Sequence, residues 1–280
     1  SALIFFEKFF NKNSNSKNNF FLKNLEIFFY NSESIEDYGW GCAWRSFQTL
    51  LKTLKNFLAA EKNFGKKFEK LKNFELSFEN IFMEFGSKEK LLNIFLEKNS
   101  EKFGKKIPKF LEEKKFAPFD IENGWGEPFI IDLISFDFNL IGGNLVLINK
   151  YPEGAFAPKE VFDEVLNFFE FVEILKKHFN NEFSLPIVLD DSQICLCIIG
   201  FREFDHSKNN YNSIEKYEIL YGDPHVKRKG DKFSSVYSLT YGKEGDLINQ
   251  YFLFDDENKI KRNFEFKEKC YMAYIPPSII

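Results

Sequence analysis

Between residues 42 and 60 the apolar positions Ala43, Trp44, Phe47, Leu50, Leu51, Leu54, Phe57 and Leu58 recur three and four apart. That spacing lines one face of an α-helix and predicts a helix over about 42–60. Residues 61–118 are rich in Lys, Glu and Phe, with helical patches (Leu91, Leu92, Phe95 and Leu96 form the clearest) broken at Gly65, Gly86 and Gly104. They read as a helical insertion. Pro128–Phe138 is a further short helix, and the Gly142-Gly143 pair then introduces a strand-type run, Leu145 to Ile148. Pro158 stands at a helix start, and Val161, Phe162, Val165, Leu166, Phe169, Val172 and Leu175 carry that pattern to about His178. The pattern then switches to strands at Leu185–Leu189, Ile194–Phe204, Tyr217–Gly222 and Cys270–Ile275, joined by loops rich in Asp, Asn, Gly and Lys. Helices first and sheet later predict one α+β domain over 30–280. Residues 1–29 read as an irregular or partly helical lead-in around the loop-forming run Asn11–Asn19.

The chain has 280 residues, 44% of them hydrophobic, enough for a sizeable core. Its 38 basic and 42 acidic residues nearly balance, so electrostatics nominates neither nucleic acid nor an anionic membrane as partner. The central charge-free stretch, Phe138 to Asn149, falls far short of the roughly 20 apolar residues of a membrane-spanning helix. The first residues lack a basic start followed by a small-residue cleavage site, which argues against a secretory signal. Four cysteines are too sparse for a disulfide framework and point to a reducing, cytoplasmic setting. Phe makes up 38 of the 280 residues, a bias of the kind A/T-rich coding produces, so Phe stripes are weak evidence for function.

The chemistry concentrates in Gly39-Trp40-Gly41-Cys42-Ala43-Trp44-Arg45-Ser46-Phe47-Gln48. Two glycines permit a tight turn, and Cys42 opens the long helix. A thiol there sits among unsatisfied backbone N–H groups at the positive end of the helix dipole, a setting that favours thiolate. The bland alternative is a small buried hydrophobe.

A nucleophilic cysteine needs a base, and there are three histidines. His178 closes a helix and is expected to meet its last carbonyls; His206 sits in a polar loop. His225 follows the strand Tyr217–Gly222 in Asp223-Pro224-His225. Residues two apart on extended chain face the same side, so Asp223 can orient the His225 imidazole toward a sulfur. An ordinary turn is the alternative for that tripeptide. Cys195 and Cys197 alternate along a strand and read as two packed thiols rather than metal ligands.

Gly-Trp-Gly-Cys-Ala-Trp-Arg-Ser-x-Gln followed far downstream by Asp-Pro-His resembles the cysteine proteases that act on the ubiquitin-fold modifier, UFM, and more distantly the autophagins, which act on autophagy-related ubiquitin-like modifiers. The UFM proteases are the nearer match, because Tyr30 stands twelve residues before Cys42 and Ile35 and Asp37 also fit. Trp125-Gly126, the Leu185–Leu189 segment and Ile198-Ile199-Gly200 resemble further family segments.

The resemblance implies a papain-like fold, a helix bearing the nucleophile packed on a mainly antiparallel sheet. It implies catalytic Cys42, Asp223 and His225, with Tyr30 donating to the oxyanion beside the Cys42 N–H, and no cofactor or metal. Trp40 and Trp125 are candidate walls of a channel for a Gly-ended tail; Trp44 lies on the buried face of the helix. The implied partner is a UFM-type precursor or conjugate met by a monomer, with recruitment to the endoplasmic reticulum surface as an extension. An autophagin-type protease and a non-catalytic modifier-binding module are the alternatives. Three departures stand out. Asp190-Asp191-Ser192 replaces a glycine-rich turn, Cys195-Leu196 replaces an Ala-His pair in the substrate channel, and Ser32-Glu33 replaces a Gln-Asp pair, which is expected to loosen that loop.

Overall fold

The computed structural model describes residues 16–22, 25–28, 33, 35–37, 40–60, 66–104, 128–150, 159–181, 183–191, 194–204, 217–222, 224, 236–241, 247–252 and 270–278. The apolar stripe of residues 42–60 forms helix α1, Cys42–Ala60, and Trp44, Phe47, Leu50, Leu51 and Leu54 on it are at most 1% exposed. Four helices follow in the Lys/Glu/Phe-rich segment: α2 (Glu69–Asn73), α3 (Phe78–Phe85), α4 (Lys88–Lys98) and α5 (Ser100–Phe103). Ser77 and Ser87 start α3 and α4 by accepting the backbone N–H groups of Asn80 and Lys90, as N-cap hydroxyls do. Helix α6 spans Pro128–Asp137.

The strands are β1 (Ser16–Phe21), β2 (Asn144–Ile148), β3 (Glu164–Leu166), β4 (Ile187–Asp190), β5 (Cys195–Phe204), β6 (Tyr217–Gly222), β7 (Val236–Tyr241), β8 (Leu247–Phe252) and β9 (Tyr271–Ile275). Among the described residues they form one sheet in the order β3-β2-β9-β4-β5-β6-β7-β8, with β1 also paired to β5. Only β2 and β3 run parallel. Strands β4 and β9 are buried along their whole length, so both faces of the sheet are covered there. Helix α1 packs on β4 and β5, and α6 packs on β9, β2 and β4. The architecture is α+β, as expected, with the Cys42 helix laid on a mainly antiparallel sheet. Among the described residues no helix is long and apolar enough to cross a membrane.

Three expectations are corrected. Residues 16–21 are not irregular or helical but form β1, antiparallel to β5 with a bulge between Ser16 and Asn18. Backbone pairing to a long neighbour makes that strand, so its Ser/Lys/Asn sequence shows no alternation to read. The helix expected from Pro158 begins instead at Phe168 and runs to Phe179 as α7. A capping box starts it, with Asn167 Oδ1 accepting the Glu170 N–H and Glu170 Oε2 accepting the Asn167 N–H. The residues before it form a short 3-10 turn (Lys159–Val161) and β3, which is held to β2 where Leu145 N–H donates to Asp163 Oδ2 at 2.8 Å. Strands β7 and β8 occupy what read as loop, although the Val, Tyr, Leu and Thr of β7 are ordinary strand formers.

One buried acid makes stability depend on pH. Asp132 on α6 accepts a hydrogen bond from Lys98 on α4. Burial raises its pKa from 3.8 to about 6, with Lys98 opposing the rise and Asp163 adding to it. Because the folded pKa lies above the unfolded one, this carboxyl's contribution to stability is fully present below pH 3.8 and lost as pH rises through about 6. Urea denaturation of wild type and Asp132→Asn is expected to shift in favour of the variant as pH rises from about 4 to about 7. A pH-independent difference would refute this.

Candidate functional site around Cys42

The turn that delivers Cys42 is built by Asp37. Its carbonyl accepts the N–H groups of Gly41 at 2.9 Å and Trp40 at 3.3 Å. Gly41 must be glycine, since a Cβ there would run into the Asp37 carboxylate. The Gly41 carbonyl then accepts the Arg45 N–H at 2.9 Å, the first bond of α1. The N–H groups of the opening turn, Cys42 among them, have no carbonyl four residues back within the helix.

Behind that turn lies a buried ionic knot. Arg45, Asp37 and Gln48 are all 0% exposed. Arg45 Nε donates to Asp37 Oδ2 at 2.6 Å, and its Nη1 donates to Glu33 Oε2 at 2.9 Å and Gln48 Oε1 at 2.8 Å. Gln48 Nε2 donates to Glu33 Oε2 at 3.2 Å, and Glu33 Oε2 also accepts the Phe78 backbone N–H of α3 at 3.1 Å. The guanidinium lies 4.4 Å from the Phe78 ring centroid, a cation–π contact. Glu33 holds a positive φ of 64°, a conformation a non-glycine residue keeps only where its surroundings impose it. The Ser32-Glu33 departure was expected to loosen this loop; Glu33 instead ties it to α1 and α3.

The aromatic residues follow the same junction. Trp44 is 1% exposed and packs on Phe82 at 5.0 Å, a core residue. Trp40 is half-buried, its ring edge-on to Phe78 at 5.6 Å and to Phe82 at 5.9 Å. The insertion therefore forms one wall around the Cys42 turn.

On the other side, β5 supplies two buried thiols. Cys197 Sγ donates to the Ser46 carbonyl, one turn beyond Cys42, at 3.1 Å. Burial pushes the Cys197 thiol up to about 12. Burial, then the charge of Asp190 and the neighbouring Cys42 and Cys197, push Cys195 well above the usual thiol range. Both stay protonated at neutral pH and serve as packing beneath α1, as two packed thiols should. Among the described residues no group of three or more His, Cys, Asp and Glu could hold a metal. In the register of the sheet Cys197 is paired with Gly222, the last residue of β6 and the one before Asp223. Pro224 is buried. The strand leading to Asp-Pro-His thus ends one strand away from the residue that holds the first turns of α1.

The Asp190-Asp191 turn also closes without the expected glycines. Asp191 Oδ1 accepts the Ile194 N–H at 2.8 Å, and Asp191 N–H donates to the Ile194 carbonyl at 3.2 Å. A side-chain oxygen of this kind mimics a backbone turn. Leu196, which the sequence reading set against a histidine of the resembled pattern, is 1% exposed. His178 does not meet the last carbonyls of its own helix. Its Nε2–H donates to the Leu185 carbonyl at 2.8 Å, and burial lowers its pKa. It is a structural histidine.

Cys42, Trp40 and Pro224 are described; Tyr30, Trp125, Asp223, His225 and His206 lie outside the described residues. The motif reading missed the Glu33–Asp37–Arg45–Gln48 knot and its lid, Phe78. Arg45 and Gln48 were in view three residues apart on α1, but their partners come from loops that no periodicity connects to them.

No protein-family model and no curated protein matches the chain. A crystal structure of UfSP from C. elegans aligns over 97% of this chain with a TM-score of 0.48 and 16% identity, and the chain spans 37% of that protein's length.

Proposed function

We propose that this protein is a thiol-dependent peptidase that hydrolyses the bond after the terminal Gly of a UFM-type ubiquitin-like modifier, for precursor maturation, deconjugation or both. One observation carries the reading: Cys42 heads a long helix whose next turn, at Ser46, is bonded to Cys197, the register partner of Gly222. Asp223 and His225 follow Gly222 within three residues, an extended reach of up to about 10 Å. The Gly-Trp-Gly-Cys-Ala-Trp-Arg-Ser and Asp-Pro-His motifs supply the residue types that chemistry needs at those two places.

In this mechanism Cys42 Sγ, its proton taken by His225, attacks the carbonyl carbon of the terminal Gly. A C–S bond forms, and the oxyanion is held by the Cys42 N–H and the Tyr30 hydroxyl. Asp223 orients the imidazole, which returns the proton to the leaving amine as the C–N bond breaks. Water, deprotonated by His225, then cleaves the thioester and releases the modifier. Fixed donors at an oxyanion are worth roughly 3 to 4 kcal/mol each in related hydrolases. Trp40 and Trp125 line the approach for the Gly-ended tail.

The test is covalent labelling by UFM carrying a carboxy-terminal electrophile, beside matching probes made from autophagy-related modifiers. Wild type is expected to label with the UFM probe on the Cys42 peptide, and the Cys42→Ala and His225→Ala variants are not. Labelling by the autophagy-related probes alone would establish the autophagin reading. Binding of UFM without labelling would establish a non-catalytic module, and strong labelling of either variant would overturn the mechanism.

A further inference from the structure

Two stretches of chain meet the first turns of α1, and both are fastened to its side. The Phe28 N–H donates to Thr49 Oγ1 at 3.0 Å, while the Thr49 hydroxyl donates to the Arg45 carbonyl at 2.9 Å. Five residues later Glu33 bonds to Arg45 and Gln48, and four after that Asp37 closes on Arg45 and builds the turn into Cys42. Phe28 and Glu33, which flank Tyr30 in the sequence, are therefore both bonded to one helix.

Glu33 is the member best placed to act on the reaction rather than on the fold. Its side chain is 28% exposed, whereas those of Arg45 and Asp37 are 0% exposed. It also accepts the Phe78 backbone N–H and so ties α3 to this knot. A carboxylate accepting from a guanidinium, an amide and a backbone N–H at once is a set of short, directional constraints. Such constraints matter most where donors must already point at charge that develops only in the transition state.

We propose that Glu33, through Arg45, is a positioning residue that fixes the oxyanion-holding geometry of the Cys42 site. This rests on the peptidase reading above and deepens it. Glu33 touches no reacting atom; it sets how the loop before Cys42 sits on α1. A misplacement of about 1 Å in such a site can lower the rate about a hundredfold.

The experiment compares wild type, Glu33→Ala and Glu33→Gln in two reactions. The first is hydrolysis of a fluorogenic amide at the terminal Gly of UFM, which needs the oxyanion site. The second is alkylation by iodoacetamide, followed on the Cys42 peptide, which displaces iodide and forms no oxyanion. Glu33→Ala is expected to lower kcat by about ten- to a hundredfold, with KM and the alkylation rate unchanged. Glu33→Gln, which keeps an acceptor oxygen, is expected to recover most of the loss. Wild-type turnover matched by Glu33→Ala would overturn the positioning role and leave the peptidase reading standing. Parallel losses in hydrolysis and alkylation, or a change in KM alone, would do the same. An inert wild type would remove the peptidase reading and this inference with it, a result distinct from the others.

Discussion

His225→Ala is expected to lower turnover of a Gly-ended UFM substrate by roughly 10⁴- to 10⁶-fold, and Cys42→Ala by at least as much. The size follows from the number of jobs one imidazole holds. It removes the thiol proton before attack, supplies the proton without which an amide nitrogen is a poor leaving group, and activates the water that clears the thioester. The histidine among the described residues cannot stand in: His178 is committed to the Leu185 carbonyl and its pKa is lowered by burial. Asp223→Asn is expected to lose less, about 10²- to 10⁴-fold, because it misorients the base without removing it. Steady-state kinetics beside circular dichroism of each variant separate chemistry from folding. Activity of His225→Ala within about tenfold of wild type would sink the assignment of the base, since such pairs act as a unit and lose most of their rate together.

What the sequence disclosed depended on whether the deciding interactions were local. Helix α1 was legible because its stripe, Ala43 through Leu58, is set by the helical repeat and the core satisfies it residue by residue. Strand β6 was legible to the residue. By contrast, Val161, Phe162, Val165 and Leu166 fit a helical period by accident. The true start signal was the Asn167/Glu170 capping box, and the side chain of Val165 is left 52% exposed on an edge strand. Strand β1 was illegible for the opposite reason, since its existence depends on the free edge of β5 rather than on its own residues. At the site, Cys42 and its turn could be read, and so could Arg45 as a motif residue. That Glu33 would reach Arg45 could not, because the loop conformation that aims it needs the positive φ and the Phe78 N–H of a helix 45 positions away. A departure from a family pattern was read as a loss when the structure supplies a new set of partners.

Arg45→Ala is expected to destabilise the protein by about 3–5 kcal/mol, the cost of taking the opposite charge away from a buried carboxylate. At this chain length that lowers the melting temperature by roughly 5–9 °C. Asp37 is 0% exposed, and its Oδ2 lies 2.6 Å from Arg45 Nε, so loss of the guanidinium removes a close countercharge from a carboxylate that solvent does not reach. Glu33 suffers less, being part-exposed and still bonded to Gln48 and Phe78. Arg45→Lys should recover only part of the loss. A single ammonium cannot reproduce the fork that serves Asp37 from Nε and Glu33 and Gln48 from Nη1, nor the planar stacking on Phe78. The sharper test is the pair Arg45→Met and Asp37→Asn. If the damage is an orphaned charge rather than lost volume, the double variant removes both charges and is less destabilised than the sum of the single variants, a coupling that calorimetry reads directly. Additive losses would mean that Arg45 acts by packing alone. The ionic knot would then have no claim to hold the turn that presents Cys42.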